Sequence, residues 1–273
     1  MADAATRADD DSAADPEPRQ KLVARIRLTI GRVLVGVAFV GFWELVYRSG
    51  IVKPLISRSP RQVWDFLAKI MTDGTLWPAL YSTLEATVIA FVLASAVGIV
   101  IGIGLGLFPR IEELVDPYLS AVNAMPRIAF APVFILIFGI GQASKVALAF
   151  SVVVFILILN ARAGIRTVDR DILTMATVMN ITKRQMFMKI LLPSAVPSVF
   201  AGLRLGVIYA LLGVVTSELV ASREGLGQLI AWYAGTFVLE GVYGVVIILA
   251  LVASLMNLAM AALERKLLHS RTA

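Results

Sequence analysis

"LEATVIAFVLASAVGIVIGIGLGLF", residues 84–108, carries no charge after Glu85. A helix rises about 1.5 Å per residue and the hydrocarbon core is about 30 Å thick, so roughly twenty apolar residues cross it. Ala86, Ala90, Ala94, Gly98, Gly102 and Gly106 recur at every fourth position of this stretch. That spacing keeps them on one helical face, and a stripe of small residues lets helix backbones approach closely in lipid. The stripe alone does not distinguish packing inside one subunit from packing between two copies.

The same apolar character recurs on both sides of this segment. Further candidate spans lie at 33–47, 128–140, 146–159, 199–220 and 242–262. Three of them are short: residues 26–30 can lengthen the first, and 116–125 can lead into the third. Short or proline-interrupted helices are tolerated at membrane depth where protein surrounds them. The expected fold is therefore all-α and integral to the membrane, with six transmembrane helices.

Composition agrees, because 59% of the 273 residues are hydrophobic and only 16% are charged. The mean hydropathy of +0.84 lies well above the soluble norm. No cysteine is present, and His269 is the single histidine, so thiolate and multi-histidine metal sites and histidine-based catalysis are excluded for this chain acting alone. Net charge is +6, but no basic patch interleaved with aromatics accompanies it, so nucleic acid is not an expected partner. The N-terminal "MADAATRADDDSAADPEPRQ" has no apolar core and reads as a disordered tail over 1–20, not as a signal peptide.

Orientation follows the basic residues near span ends. Arg19, Lys21, Arg25, Arg27 and Arg32 precede the first span, and Arg265, Lys266 and Arg271 follow the last. Both termini are therefore expected in the cytoplasm, the membrane domain covering 21–265 and a C-terminal tail 266–273. The loop 161–197 falls on the same side with Arg162, Arg166, Arg170, Lys183, Arg184 and Lys189. The loop 48–78 falls outside and yet carries Arg48, Lys53, Arg58, Arg61 and Lys69, so it runs against the rule.

The cytoplasmic loop has helical periodicity without the length to span. Met175, Val178 and Met179 share one face at i, i+3, i+4 spacing. Asn180 suits the left-handed position that ends a helix. Thr182-Lys183-Arg184-Gln185 fits a capping box, with Ile181 and Met186 placed for a hydrophobic staple. A second short helix is expected from about Lys183 to a stop before Pro193, and Pro197 fits the first turn of the next helix. The apolar face needs cover, either from a partner or by lying on the membrane surface.

Residues 174–193 resemble the EAA loop of binding-protein-dependent ABC transporter permeases. That motif runs Glu-Ala-Ala, three residues, Gly, nine residues, Ile, one residue, Leu-Pro. Here Ala176, Ile190, Leu192 and Pro193 match at the right spacing, while Thr174, Met175 and Asn180 stand where the motif has Glu, Ala and Gly. "AMPRIAFAPVFILIFGIGQASK" (124–145), "PSAVPSVFAGLRLGV" (193–207) and "SELVASREGLGQLI" (217–230) are similar to the nitrate/sulfonate/taurine branch of these permeases.

The resemblance implies a type I importer permease fold in the cell (inner) membrane, acting as a homodimer. It implies an ABC ATPase subunit dimer docked on the two loops and a periplasmic or lipid-anchored binding protein that delivers a small oxyanion or organic acid. ATP and Mg would then sit on the ATPase subunit, in keeping with the lack of a G-x-x-x-x-G-K-[ST] loop here. The implied coupling residues are Asp171, Thr174, Met175, Ala176, Val178, Met179, Asn180, Lys183, Arg184 and Pro193. Asp171 is a candidate to supply the charge that Thr174 lacks.

Met125, Pro126 and Phe130 are candidates for the path, because Pro126 and Pro132 break a short helix and broken helices line cavities. Ionisable residues in or near spans are functional candidates, and among Glu44, Glu85, Arg204 and Glu218 the last two are taken as path candidates. A secondary transporter of a small solute, with no ATPase partner, is the alternative.

Overall fold

The small-residue stripe of residues 86–106 turns inward and packs within the chain. The computed structural model describes residues 18–53 and 56–269; the predicted N-terminal tail lies outside these up to position 17. Among the described residues the chain forms α1 (Pro18–Arg48), α2 (Pro60–Thr72), α3 (Leu76–Leu107), α4 (Pro109–Ala124), α5 (Ala131–Phe138), α6 (Gln142–Arg166), α7 (Arg170–Val178), α8 (Lys183–Met186), α9 (Leu192–Val220), α10 (Leu226–Gly235) and α11 (Leu239–His269). A 3-10 turn, Arg127–Phe130, precedes α5, and a π-helical turn, Phe187–Leu191, joins α8 to α9. α1 thus takes up the last residues of the predicted N-terminal tail, and α11 runs into the predicted C-terminal one.

The chain divides into two units, residues 1–61 and 62–273. In the first, α1 is apolar enough to cross a membrane from Arg27 to Arg48. Glu44 pairs with Arg48 at 2.6 Å one turn away, and Trp43 Nε1 donates to the Arg58 carbonyl at 2.9 Å.

The second unit is built on α3, α6 and α9. Ala86, Ala90 and Ala94 on α3 are fully buried. A Cβ placed on Gly98 would stand 2.7 Å from the Val154 carbonyl, and one on Gly102 2.5 Å from that of Ile158, both on α6. The stripe is therefore a contact inside one subunit. A second stripe, Gly202, Gly206, Ala210 and Gly213 on α9, meets the other side of α6 at Asn160, Val153 and Ala149. With both neighbours drawn close, Val153, Leu157 and Ile158 on α6 form the centre of the core.

α2 is amphipathic, burying Val63, Leu67 and Ile70. Leu67 packs at Gly244 and Phe66 meets Tyr233 edge-on at 5.2 Å. The basic loop 48–78 therefore contains a helix packed on α10 and α11.

Two expectations change. The third span, expected over 128–140, is a bent pair: Pro109–Ala124 and Arg127–Phe138 meet at 79°. Its contacts climb α6 in antiparallel order, Glu112 at Arg166, Asp116 at Arg162 and Arg127 at Ser151. The pair ends next to Gln142, at the far end of α6. It therefore traverses the bundle as one broken helix. Pro126 lacks the N–H that a straight helix would donate to the Val122 carbonyl across the bend, and Pro132 lacks one just beyond it.

The second change is at the two prolines: Pro193 does not stop a helix, and Pro197, expected in the first turn of the next one, lies inside it. Lys183–Val220 is one continuous span of 38 residues. The Leu192 N–H bonds back to the Phe187 carbonyl, five residues earlier. That wider π turn, just ahead of the proline, opens the helix before the ring and removes the clash that would break an α-helix.

Candidate functional site: the cytoplasmic loop and the broken helix

Local chemistry fixes the ends of α7. Asp169 caps its start, accepting from the Asp171 N–H at 2.9 Å. At the other end Asn180 has φ +54°. The Ile181 N–H bonds to the Ala176 carbonyl at 3.3 Å and the Asn180 N–H to that of Thr177 at 2.9 Å. These two bonds define a Schellman ending. The Thr182–Gln185 capping box then forms in both directions, starting α8 two residues later. A β-branched side chain in the left-handed region costs about 1–2 kcal/mol. Asn180→Val is therefore expected to loosen this turn and speed proteolysis across 170–185, whereas Asn180→Gly leaves the cleavage rate near wild type.

Between these caps α7 presents an apolar stripe. Met175, Val178 and Met179 are 60%, 80% and 69% exposed. Asp171 lies on the same face at i−4 from Met175 and is exposed. Ala176 is buried, facing the chain's own core. The Thr174 hydroxyl donates to the Arg170 carbonyl at 2.8 Å, so it is bound to its own helix. Lys183, Arg184 and Pro193 are exposed beyond the turn.

The loop is anchored by a charge cluster that long-range pairing creates. Glu112 on α4 is 3% exposed, accepts from Arg166 and forms an ion pair with Arg162 at 3.3 Å. Arg162 also pairs with Asp116. Arg166 lies three residues before the Asp169 cap, so α7 and the first half of the broken helix are held to the same end of α6. In the sequence Arg162 and Arg166 stand out only as positive charges of a loop; their acidic partners lie 46 to 54 residues away.

At the bend a cleft of about 600 Å³ opens between α6, α9 and the 3-10 turn. Met125 and Arg127 line it, with Asn160 of α6 and Tyr209 and Thr216 of α9. Pro126 forms the corner, with ψ 93°. Phe130 lines an adjoining apolar cavity of about 180 Å³ with Phe134 and Phe155.

The other two path candidates lie elsewhere. Arg204 pairs with Glu264 across α9 and α11. Glu218 is 1% exposed and accepts from Lys145 Nζ at 3.0 Å, Thr83 Oγ1 at 3.0 Å and the Gly227 N–H at 2.9 Å. The last contact sets the carboxylate at the N-terminus of α10, where the helix dipole favours it. Glu85, also near a span end, accepts from Gln142 Nε2 at 3.2 Å.

The chain is similar to known proteins in sequence and in fold. Residues 74–269 match the family described as binding-protein-dependent transport system inner membrane component. The chain belongs to that family. It is the membrane-spanning permease subunit of an ABC importer.

This permease is 28% identical to the taurine transport system permease protein TauC of Escherichia coli, over 91% of each chain. It is 30% identical to the putative aliphatic sulfonates transport permease protein SsuC of Bacillus subtilis, over 88% of this chain and 87% of the relative. It is 34% identical to the riboflavin transport system permease protein RibX of Chloroflexus aurantiacus, over 84% and 85%. Among solved structures, an inward-facing MetNI methionine ABC transporter superposes with a TM-score of 0.63 at 17% identity, over 70% of this chain and 95% of that one. An amino acid ABC transporter gives 0.56 at 19% identity, over 76% and 98%. Both share the fold of this permease, and the secondary-transporter alternative is not favoured.

Proposed function

We propose that this permease works as a homodimer in the inner membrane and that α7 of each copy seats on a separate ATPase subunit. The observation that carries this is the exposed stripe of Asp171, Met175, Val178 and Met179 on a helix capped at both ends. Its stiff caps suit it to transmit a rigid-body motion. The cluster of Glu112, Arg162 and Arg166 then passes that motion to the broken helix and its cleft. Met125, Pro126 and Phe130 take the path role at that bend. Both termini face the cytoplasm, in line with the basic residues that flank α1 and α11. Nucleotide and Mg belong to the ATPase partner, because this chain carries no phosphate-binding loop motif.

A binding protein delivers the solute on the opposite face. We place the solute among small oxyanions and organic acids, the class to which the taurine and sulfonate names of two relatives belong. The name of a third, riboflavin, shows how widely such systems range.

The test is co-expression with the candidate ATPase subunit. The wild-type permease is expected to co-purify with it, and Met175→Asp with Val178→Asp to lose at least about tenfold of the bound subunit while reaching the membrane in normal amount. Retention of the complex by the double variant removes the proposed docking site.

A further inference from the structure

We infer that Arg127 is an anion-recognition point in the cleft and that the acidic end of the solute passes against it. The inference rests on the cleft being the solute path. Arg127 stands on the 3-10 turn of the broken helix, half-buried, where its head is fixed by four hydrogen bonds and one ring contact. Nη1 donates to the Ser151 carbonyl and, at 3.4 Å, to that of Val152. Nη2 donates to the Val122 carbonyl at 3.4 Å and to Asn123 Oδ1 at 3.2 Å. The guanidinium carbon lies 4.0 Å from the centre of the Phe155 ring.

All of these partners are neutral. They orient the cation without cancelling its charge. Among the described residues, the arginines of α6 and α9 pair with carboxylates: Arg162 and Arg166 with Glu112, and Arg204 with Glu264. Among the described residues that line the cleft, Arg127 is also the one that carries a charge. An intramembrane cation is expensive to keep there unless paired, and an unpaired one at a cavity wall marks a ligand or ion pathway.

The remaining chemistry of the wall fits a small anion with a polar tail. Nε–H of Arg127 takes part in none of the four bonds. Asn160 donates through Nδ2 to the Ile156 carbonyl at 2.8 Å, which leaves its Oδ1 as an acceptor beside the cleft. Tyr209 brings a phenol to the same wall. A planar guanidinium that presents N–H donors to a sulfonate, nitrate or carboxylate makes charge-assisted hydrogen bonds. The anion would meet Arg127 at the bend, where movement of the two half-helices changes the cleft.

The chain has no cysteine, so a single reporter thiol tests the field of Arg127 directly. Leu212 lines the cleft and is 54% exposed. Leu212→Cys, in the full transporter in proteoliposomes, is reacted with methanethiosulfonates bearing either a sulfonate or a trimethylammonium head. Relative to free 2-mercaptoethanol, the ratio of sulfonate to ammonium reaction is expected to be raised by about tenfold, the lower end of electrostatic focusing in a cleft. Arg127→Gln brings the ratio down to that of the free thiol, and Arg127→Lys keeps most of it. Methanesulfonate protects the thiol in the Arg127 protein, and methanesulfonamide, its neutral analogue, does not.

An unchanged ratio in Arg127→Gln, or equal slowing of both reagents, would mean that Arg127 only braces the bend, and the inference falls. If Arg127→Gln fails to assemble, the ratio in the Arg127 protein against the free thiol still decides, and a value near one overturns the inference. Failure of α7 docking is read separately, as loss of the ATPase complex.

Discussion

Lys145→Met is expected to destabilise the permease by about 3–5 kcal/mol, the usual result of removing one partner from a buried ion pair. Lys145 and Glu218 are 2% and 1% exposed. Lys145 Nζ donates to Glu218 at 3.0 Å, to Ser82 Oγ at 2.9 Å and to the Glu224 carbonyl at 2.5 Å. The cluster thus ties the starts of α6 and α10 to the end of α9 and to α3. Without the ammonium, the Glu218 carboxylate keeps its bonds from Thr83 and Gly227 but loses the cationic partner it has among the described residues, while still cut off from water.

The pair also shapes the chain around it. Gly225 has φ +131°, and a Cβ there would fall on the Glu218 carboxylate, so both conformation and space require glycine. Replacing both charges, with Lys145→Met and Glu218→Leu, is expected to recover most of the loss, because no unpaired charge remains. Thermal unfolding of the detergent-purified transporter checks this. A single variant as stable as wild type, or a double variant no better than the single, contradicts the pairing.

Gly102→Leu is expected to cost about 3 kcal/mol or more, at or beyond the upper end of ordinary overpacking. The atom that a new Cβ would meet at 2.5 Å is the Ile158 carbonyl oxygen, and Ala161 Cβ lies at 2.8 Å. Backbone atoms of a helix cannot rotate aside, so α3 and α6 must separate. That separation reaches the core around Val153 and Leu157. Gly104, two residues along the same helix, has nothing within 4 Å of such a Cβ. Gly104→Leu is therefore expected to stay within about 0.5 kcal/mol of wild type. The folded fraction after membrane extraction compares the two, and equal behaviour would refute the packing account of the stripe.

What was legible in the sequence was short in range. The stripe of residues 86–106, the Asn180 ending and the Thr182 capping box depend on neighbours within a few residues, and each takes the expected form. The stop expected at Pro193 rested on the clash of proline with an α-helical turn, and the π turn at Phe187–Leu191 relieves that clash. The third span reads as short, with 116–125 leading into it, because only its second half is strongly apolar. Its first half is amphipathic and carries Glu112 and Asp116, which face arginines of α6.

Pairing between distant helices was not legible at all. Lys145 and Glu218 are 73 residues apart, and only the register of α6 against α9 brings them together. Glu218 was visible as a charge in an apolar segment, but its partner was not, so a path role and a packing role looked alike. Arg127 stood in the quoted Met125-Pro126-Arg127 stretch, yet its lack of an acidic partner is a property of the folded bundle.

The central claim is that α7 is covered by a separate ATPase subunit. Val178, 80% exposed on that helix, offers the most direct test, since Val178→Cys would be the only thiol in this chain. The measurement is its rate of reaction with a water-soluble maleimide, read on the permease band, with and without the ATPase subunit in the same membranes. The account predicts rapid labelling of the permease alone and at least about tenfold protection when the ATPase is present. Equal rates in the two preparations, with the complex shown to be intact, would contradict it.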